Sequence, residues 1–189
     1  MRIGVFGGTF DPPHIGHLIV AGDVHARLGL DRVLFVPSAV PPHKIARVRA
    51  SADLRARMVR AAIGGDPRFE VDELELRREG PSYTVDTLRE LRDRFRGAEL
   101  FFLIGMDALR DFPTWRAPVE ILRMAQLAVL ARAGDEELPE VGSGMVLVPV
   151  TRIDLSATEI RRRIAAGESI RHLVSEPVRE IIAREGLYR

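Results

Sequence analysis

The sequence predicts a single α/β domain built on an open, mainly parallel sheet with helices on both faces. Three observations carry that expectation. Short apolar runs ending in glycine or proline alternate with amphipathic stretches at helical spacing. The first such run, "RIGVFG", is followed by "IGHLIVAGDVHARLG" and then "RVLFVP", a strand–helix–strand unit within residues 2–37. At 189 residues, 46% hydrophobic and 29% charged, the chain is long enough to bury one sizeable core, and residues 1–189 read as one domain.

Residues 2–7 read as a buried strand feeding a tight turn. Over 15–29, Leu18, Ile19, Ala21, Val24 and Leu28 recur near helical spacing, and Gly29 supplies a C-terminal stop. Residues 32–37 form a second buried strand closed by Pro37. The stretch 38–50 holds prolines and basic residues without periodicity, and loops of that length are more often functional. A helix over 51–65 has Ser51 as N-cap and turns Leu54, Met58, Ala61 and Ala62 inward.

Residues 69–78 alternate as a strand whose apolar parity switches between Val71 and Leu74, which implies a bulge or bend. Val85, Leu88, Leu91 and Phe95 share one face of a helix over 82–95, and 99–105 is a strand with a glycine exit. A helix over 117–125 and strands over 126–132 and 144–150 follow. The helix over 156–167 opens with a capping box, Ser156 and Glu159, and a last helix over 175–186 ends in glycine. Size priors put about five strands in a sheet of this kind. Ligands of such sheets bind beyond the C-terminal strand ends, where Gly7, Gly8 and Gly105 lie.

Composition excludes several function classes. A net charge of +1 is not that of a nucleic-acid or membrane-surface polycation, so anion binding must arise locally. The absence of cysteine excludes disulfides and thiolate metal sites. The N-terminus does not resemble a secretory signal, and no apolar run approaches the roughly 20 residues of a membrane helix. A cytoplasmic protein is expected, with a homo-oligomer left open.

Four clusters carry chemistry. In "GGTFDPPHIGH" (7–17), Gly7 and Gly8 leave the backbone bare for an anion, and a helix starting near His14 or Ile15 aims N–H groups at the same place. His14 and His17, three apart, share a helix face and can each donate to a phosphate oxygen. Capping and packing are the plainer roles. A zinc site is the weaker reading, since the glutamate of a metalloprotease HExxH is missing. In "PPHK" (41–44), His43 and Lys44, the sole lysine among 28 basic residues, suit phosphates or merely a solvated loop. Ser82, Tyr83 and Thr84 stand at a helix start that could receive a carboxylate, with N-capping by Ser82 as the alternative. In "SATEIR", a capped helix start and Arg161 again suit phosphate.

"GGTFDPPHIGH" resembles the (T/H)xGH signature of the nucleotidyltransferase superfamily. "PPHK", "GPSYTVDTL" (80–88), "LIGMDAL" (103–109), "PTW" (113–115) and "SATEIRRRI" (156–164) follow in the order found in bacterial nicotinate-nucleotide adenylyltransferases, so the resemblance spans essentially the whole chain. Ala157 departs slightly from the usual Ser-Ser/x-Thr-x-x-Arg pattern.

The resemblance implies a Rossmann-like fold, ATP and nicotinate mononucleotide as partners without nucleic acid or membrane, and Mg²⁺ held mainly by the ATP phosphates. It implies His14, His17, Lys44 and Arg161 at the reacting phosphates. ATP binding falls to Gly7, Gly8, Thr9, Phe10, Gly105, Asp107, Ser156 and Thr158. The nicotinate nucleotide falls to His43, Ser82, Tyr83, Thr84 and Trp115, with Trp115 stacked on its ring. From the residues alone Asp107 is equally a helix cap and Trp115 a packing aromatic. His25 and His172 match no motif and read as structural. The rival readings are an acceptor other than nicotinate mononucleotide (its amide, phosphopantetheine or FMN) and a non-catalytic nucleotide-binding module.

Overall fold

A computed structural model of the chain describes residues 1–40, 48–132 and 142–189. Six strands, β1 (Arg2–Gly8), β2 (Arg32–Pro37), β3 (Phe69–Val71), β4 (Glu99–Gly105), β5 (Gln126–Arg132) and β6 (Met145–Val150), form one sheet in the order β3-β2-β1-β4-β5-β6. All five pairings are parallel. The seven helices among the described residues are α1 (Ile15–Leu28), α2 (Ala52–Ile63), α3 (Thr84–Arg94), α4 (Met106–Asp111), α5 (Pro118–Met124), α6 (Ala157–Ala165) and α7 (Glu176–Arg184). None is long and apolar enough to cross a membrane.

Alternation along the strands builds a core on each side of the sheet. Ile3, Val5, Leu34 and Val36 pack against Val85, Leu88 and Leu91 of α3 and Ile121 of α5. Val33, Phe35 and Phe101 face Ala21 and Val24 of α1 and Val59 of α2. A third cluster docks α6 and α7 on α2 through Met58, Ile160, Val178 and Ile182. Gly29 ends α1 with φ 55°, the left-handed conformation that suits glycine.

Three expectations are corrected. The sheet has six strands, not about five. The stretch 69–78 is a strand only as far as Val71. There the Asp72 carboxylate accepts the Leu74 N–H at 3.1 Å, turning the backbone out of the sheet into a 3₁₀ turn over Leu74–Arg77. The parity switch is the end of the strand, not a bulge. At α6 the capping box is half made: Ser156 Oγ accepts the Glu159 N–H at 3.2 Å, but the Glu159 carboxylate pairs with Arg162 and Arg163.

β1 and β4 are adjacent, and their chain continuations run to opposite sides of the sheet. β1 leads on through α1 to β2, whereas β4 leads on through α4 and α5 to β5. The crevice beyond their C-terminal ends is the switch point at which such sheets hold ligands.

Candidate active site

Two cavities open at that switch point, and Gly7, Gly8 and Thr9 line both. The first, of about 410 Å³, is walled by Ser82, Tyr83, Thr84, Phe102, Trp115 and Arg116. The second, of about 510 Å³, carries His14, His17, Gly105, Ser156, Thr158 and Arg161.

The bare backbone at the end of β1 has a packing cause at Gly8. A Cβ on Gly8 would stand 2.8 Å from the Phe10 ring, whereas one on Gly7 would meet nothing closer than 3.5 Å. Phe10, 3% exposed, stands edge-on to His17 with ring centres 5.0 Å apart. It lines the second cavity largely as a support for that imidazole.

His14 is the N-cap residue of α1, and its ring stacks on that of His17 at 3.7 Å. The His14 backbone N–H donates to Nδ1 of His17 at 3.1 Å. A backbone amide can only donate, so this Nδ1 presents its lone pair and the proton of the neutral ring sits on Nε2. Burial lowers the His14 pKa from 6.5 to about 4, and burial together with the neighbouring His14 holds that of His17 well below 6.5. Both rings are therefore neutral donors at pH 7. Nδ1 of His14 is buried without a hydrogen-bond partner among the described residues. A Cβ on Gly16 would come within 3.0 Å of that nitrogen. The first helical N–H of α1 is not free: Ile15 donates to the Leu173 carbonyl at 3.0 Å.

Arg161 is held by two bonds, Nη1 to the Asp11 carbonyl at 2.7 Å and Nη2 to Thr158 Oγ1 at 3.1 Å. Its fork keeps further N–H groups for an anion. Apart from Asp11, whose carboxylate is engaged within the fold, the second cavity is lined by donors and apolar groups such as Phe6, Leu130, Ile153 and Leu155. Hydrogen-bond donors with little competing negative charge suit a polyphosphate.

In the first cavity Ser82 is not an N-cap. Its Oγ accepts the N–H groups of Ala39 and Val40, at 3.1 and 3.4 Å, tying the start of α3 to the chain after β2. Of the three N–H groups expected to receive a carboxylate, that of Ser82 donates to Val40 at 2.9 Å and that of Tyr83 to Pro81 at 3.1 Å. The N–H of Thr84, the first residue of α3, has no carbonyl of its own helix in reach. Trp115 stands edge-on to Phe102 at 6.0 Å and Phe112 at 5.6 Å, which fixes the plane of its indole.

Asp107 is not brought to either cavity; its side chain is fully exposed and pairs with Arg110 at 3.4 Å. His43 and Lys44 lie outside the described residues. Sequence reasoning missed Glu75, Thr87 and Arg116, all of which line the first cavity. Glu75 is buried, its pKa raised by desolvation, and its carboxylate accepts the Thr87 hydroxyl at 2.6 Å. At the rim Arg116 lies over the Tyr83 ring at 4.8 Å and pairs with Asp86 at 3.6 Å. A basic residue next to "PTW" was the one available signal.

A model of the cytidylyltransferase-like family matches residues 5–163. A protein of Thermus thermophilus is 49% identical over 100% of both chains. One of Thermomicrobium roseum is 46% identical over 100% of this chain and 92% of its own. Each bears the name "Probable nicotinate-nucleotide adenylyltransferase". Among solved structures, Plasmodium falciparum nicotinic acid mononucleotide adenylyltransferase complexed with NaAD superimposes with a TM-score of 0.81 at 17% identity. The match covers 99% of this chain and 97% of that one, a likeness of fold.

Proposed function

This chain belongs to the cytidylyltransferase-like family and, within it, to the nicotinate-nucleotide adenylyltransferases, and we propose that it moves AMP from ATP to nicotinate mononucleotide across the floor shared by its two cavities. A phosphate oxygen of the mononucleotide attacks the α-phosphorus of ATP. The bond from that phosphorus to the bridging oxygen breaks, and pyrophosphate leaves with the electron pair. The products are the deamido dinucleotide and pyrophosphate.

The nucleophile is already an anion, so the reaction asks for no strong general base. What it needs is two polyanions held in line and donors aimed at the oxygens that gain charge. The observation that carries this reading is the end of β1: Gly7, Gly8 and Thr9 line a ring-sized cavity on one side and a donor-lined cavity on the other. The reacting phosphorus belongs at that junction. His14 and His17, each a neutral donor, serve its equatorial oxygens, and Arg161 and Lys44 neutralise the phosphate chain. Ser156 and Thr158 receive the outer phosphates, and Gly105 gives ATP close approach to the end of β4. Asp107 would have to turn inward to reach a ribose hydroxyl.

On the other side, Trp115 stacks on the pyridine ring, and the ring carboxylate lies at the start of α3. Its partners there are the Thr84 N–H, the positive end of the helix and Arg116. Ser82 and Tyr83 shape that seat, and His43 completes the phosphate side of the mononucleotide. An amide in the carboxylate's place forfeits the charge term, so the acid is the preferred substrate.

Magnesium belongs to the same reading. Among the described residues no group of three or more His, Asp or Glu could hold a metal, and the donors of the second cavity suit phosphate oxygens better than a cation. ATP oxygens and water would hold Mg²⁺, which would offset charge on the pyrophosphate. Action in the cytoplasm, where both nucleotides are at hand, is part of the proposal. Pyrophosphate release from ATP, measured side by side with the acid and amide mononucleotides, tests the reading. A higher kcat/KM for the acid is expected. Equal values for the two, or release with neither, would overturn it.

A further inference from the structure

Behind the loop that joins β1 to α1 lies a set of buried polar groups that the proposed chemistry does not use. Asp11 is 2% exposed and Arg55 1% exposed, positions where an ionised group is costly unless its bonds are made. Those bonds are made. The Asp11 carboxylate accepts the N–H groups of Arg49 and Ala50, at 2.7 and 3.1 Å, and the Tyr188 hydroxyl at 2.7 Å. Arg55 donates to the carbonyls of Thr9 and Ser38, each at 2.7 Å, and to those of Ala39 and Ala50, each at 3.2 Å. The residues between β1 and α1 have no ladder of their own, so side-chain bonds set their position.

Tyr188 is the last residue but one of the chain, and its backbone is left-handed at φ 67°. A non-glycine residue is rarely held there without a reason. The Tyr188 ring packs with Leu187 against the cluster that joins α2, α6 and α7, which leaves the hydroxyl to be accounted for. Burial and the Asp11 carboxylate push the Tyr188 pKa up, which keeps the hydroxyl a donor at any working pH. Two more contacts from the C-terminal part of the chain reach this loop and the start of α1: Arg161 binds the Asp11 carbonyl, and the Leu173 carbonyl receives the Ile15 N–H.

We propose that Tyr188 is a positioning residue for adenylyl transfer: its hydroxyl, through Asp11, fixes the loop that sets His14 and His17 against the α-phosphorus. The inference rests on the reading given under Proposed function. The carboxyl-terminal residues are thus a working part of the phosphate site.

Tyr188→Phe removes one oxygen and keeps the ring. We expect kcat to fall about tenfold and KM for ATP to rise, since small misplacements of reacting groups are costly in rate. KM for nicotinate mononucleotide should hold, because its cavity lies on the other side of β1. The imidazole NMR signals of His14 and His17 should move, while those of His25 and His172 stay. In an Asp11→Ala background, which leaves the hydroxyl no acceptor there, the same substitution should add no further loss. Unmoved His14 and His17 signals with wild-type kcat, an undiminished loss in the Asp11→Ala background, or equal changes in both KM values would each overturn the proposal. If Asp11→Ala does not fold, the imidazole signals decide. A wild-type protein that makes no dinucleotide refutes the functional reading instead, and the imidazole comparison with ATP added still tests this one.

Discussion

The two cavities on either side of β1 are built by different means. The phosphate side is assembled from chemically distinctive side chains, two stacked imidazoles and a guanidinium, locked from behind by the buried Asp11 and Arg55. The ring side is made of ordinary residues, Phe102, Ile121, Tyr83 and Trp115, whose significance comes from where the fold sets them. On the proposed reading one side acts on the transition state and the other on the bound substrate, so substitutions in the two should separate into effects on kcat and effects on KM.

The largest expected effect is that of His17→Ala. Loss of one preorganised donor to a developing oxyanion costs roughly 3–4 kcal/mol, or about 10²–10³ in kcat. KM for nicotinate mononucleotide should change little, and steady-state rates with either substrate varied check both. A near-normal kcat would erase the division between the cavities.

Next comes a pH effect from His14 on the phosphate side. His14 titrates at about 4 in the folded protein against 6.5 unfolded. Above about pH 6.5 neither state holds the proton and this group adds no slope. As pH falls from 6.5 towards 4, the unfolded chain binds a proton that the folded one refuses, so stability drops. The loss, complete below pH 4, is about 3 kcal/mol. Denaturant melts at several pH values should show that decline, with a shallower slope in His14→Gln.

The smallest effect belongs to the ring side. Trp115→Ala removes a stacking plane worth about 1–3 kcal/mol, on the scale found for bases on aromatic side chains. KM for nicotinate mononucleotide should rise about tenfold, with kcat and KM for ATP close to wild type. Initial rates at fixed saturating ATP measure it. A fall in kcat instead would place the indole nearer the reacting phosphorus than its cavity allows.

The same division explains what could be read from the sequence. Parallel strands with apolar faces and helices with capped ends betray themselves by period, and β1, α1, β2 and α2 lie where the pattern puts them. The motif residues His14, His17 and Arg161 come together at one cavity, as their type and spacing suggested. α4 left no trace, since a six-residue helix without a buried side chain has no apolar stripe. The stretch after Val71 misled because the alternation continues past the point where Asp72 turns the chain. Ser82, spaced like a cap, answers instead to amides 42 and 43 positions away. Tyr188 and Asp11 meet across 177 positions of sequence, a partnership that no local pattern encodes. Long-range polar contacts are created by the fold and have no signature before it.

Gly7, Gly8 and Thr9 form a thin party wall between two rooms. On the proposed reading a dinucleotide product would rest in both at once, and its two halves would re-enter their rooms at the high local concentration set by the short link between them. The inhibitor suggested by this wall is a tethered pair: a flat ring acid on one side, a polyanion on the other, joined by a span short enough to cross three residues. Two feeble ligands so joined would hold far better than either alone.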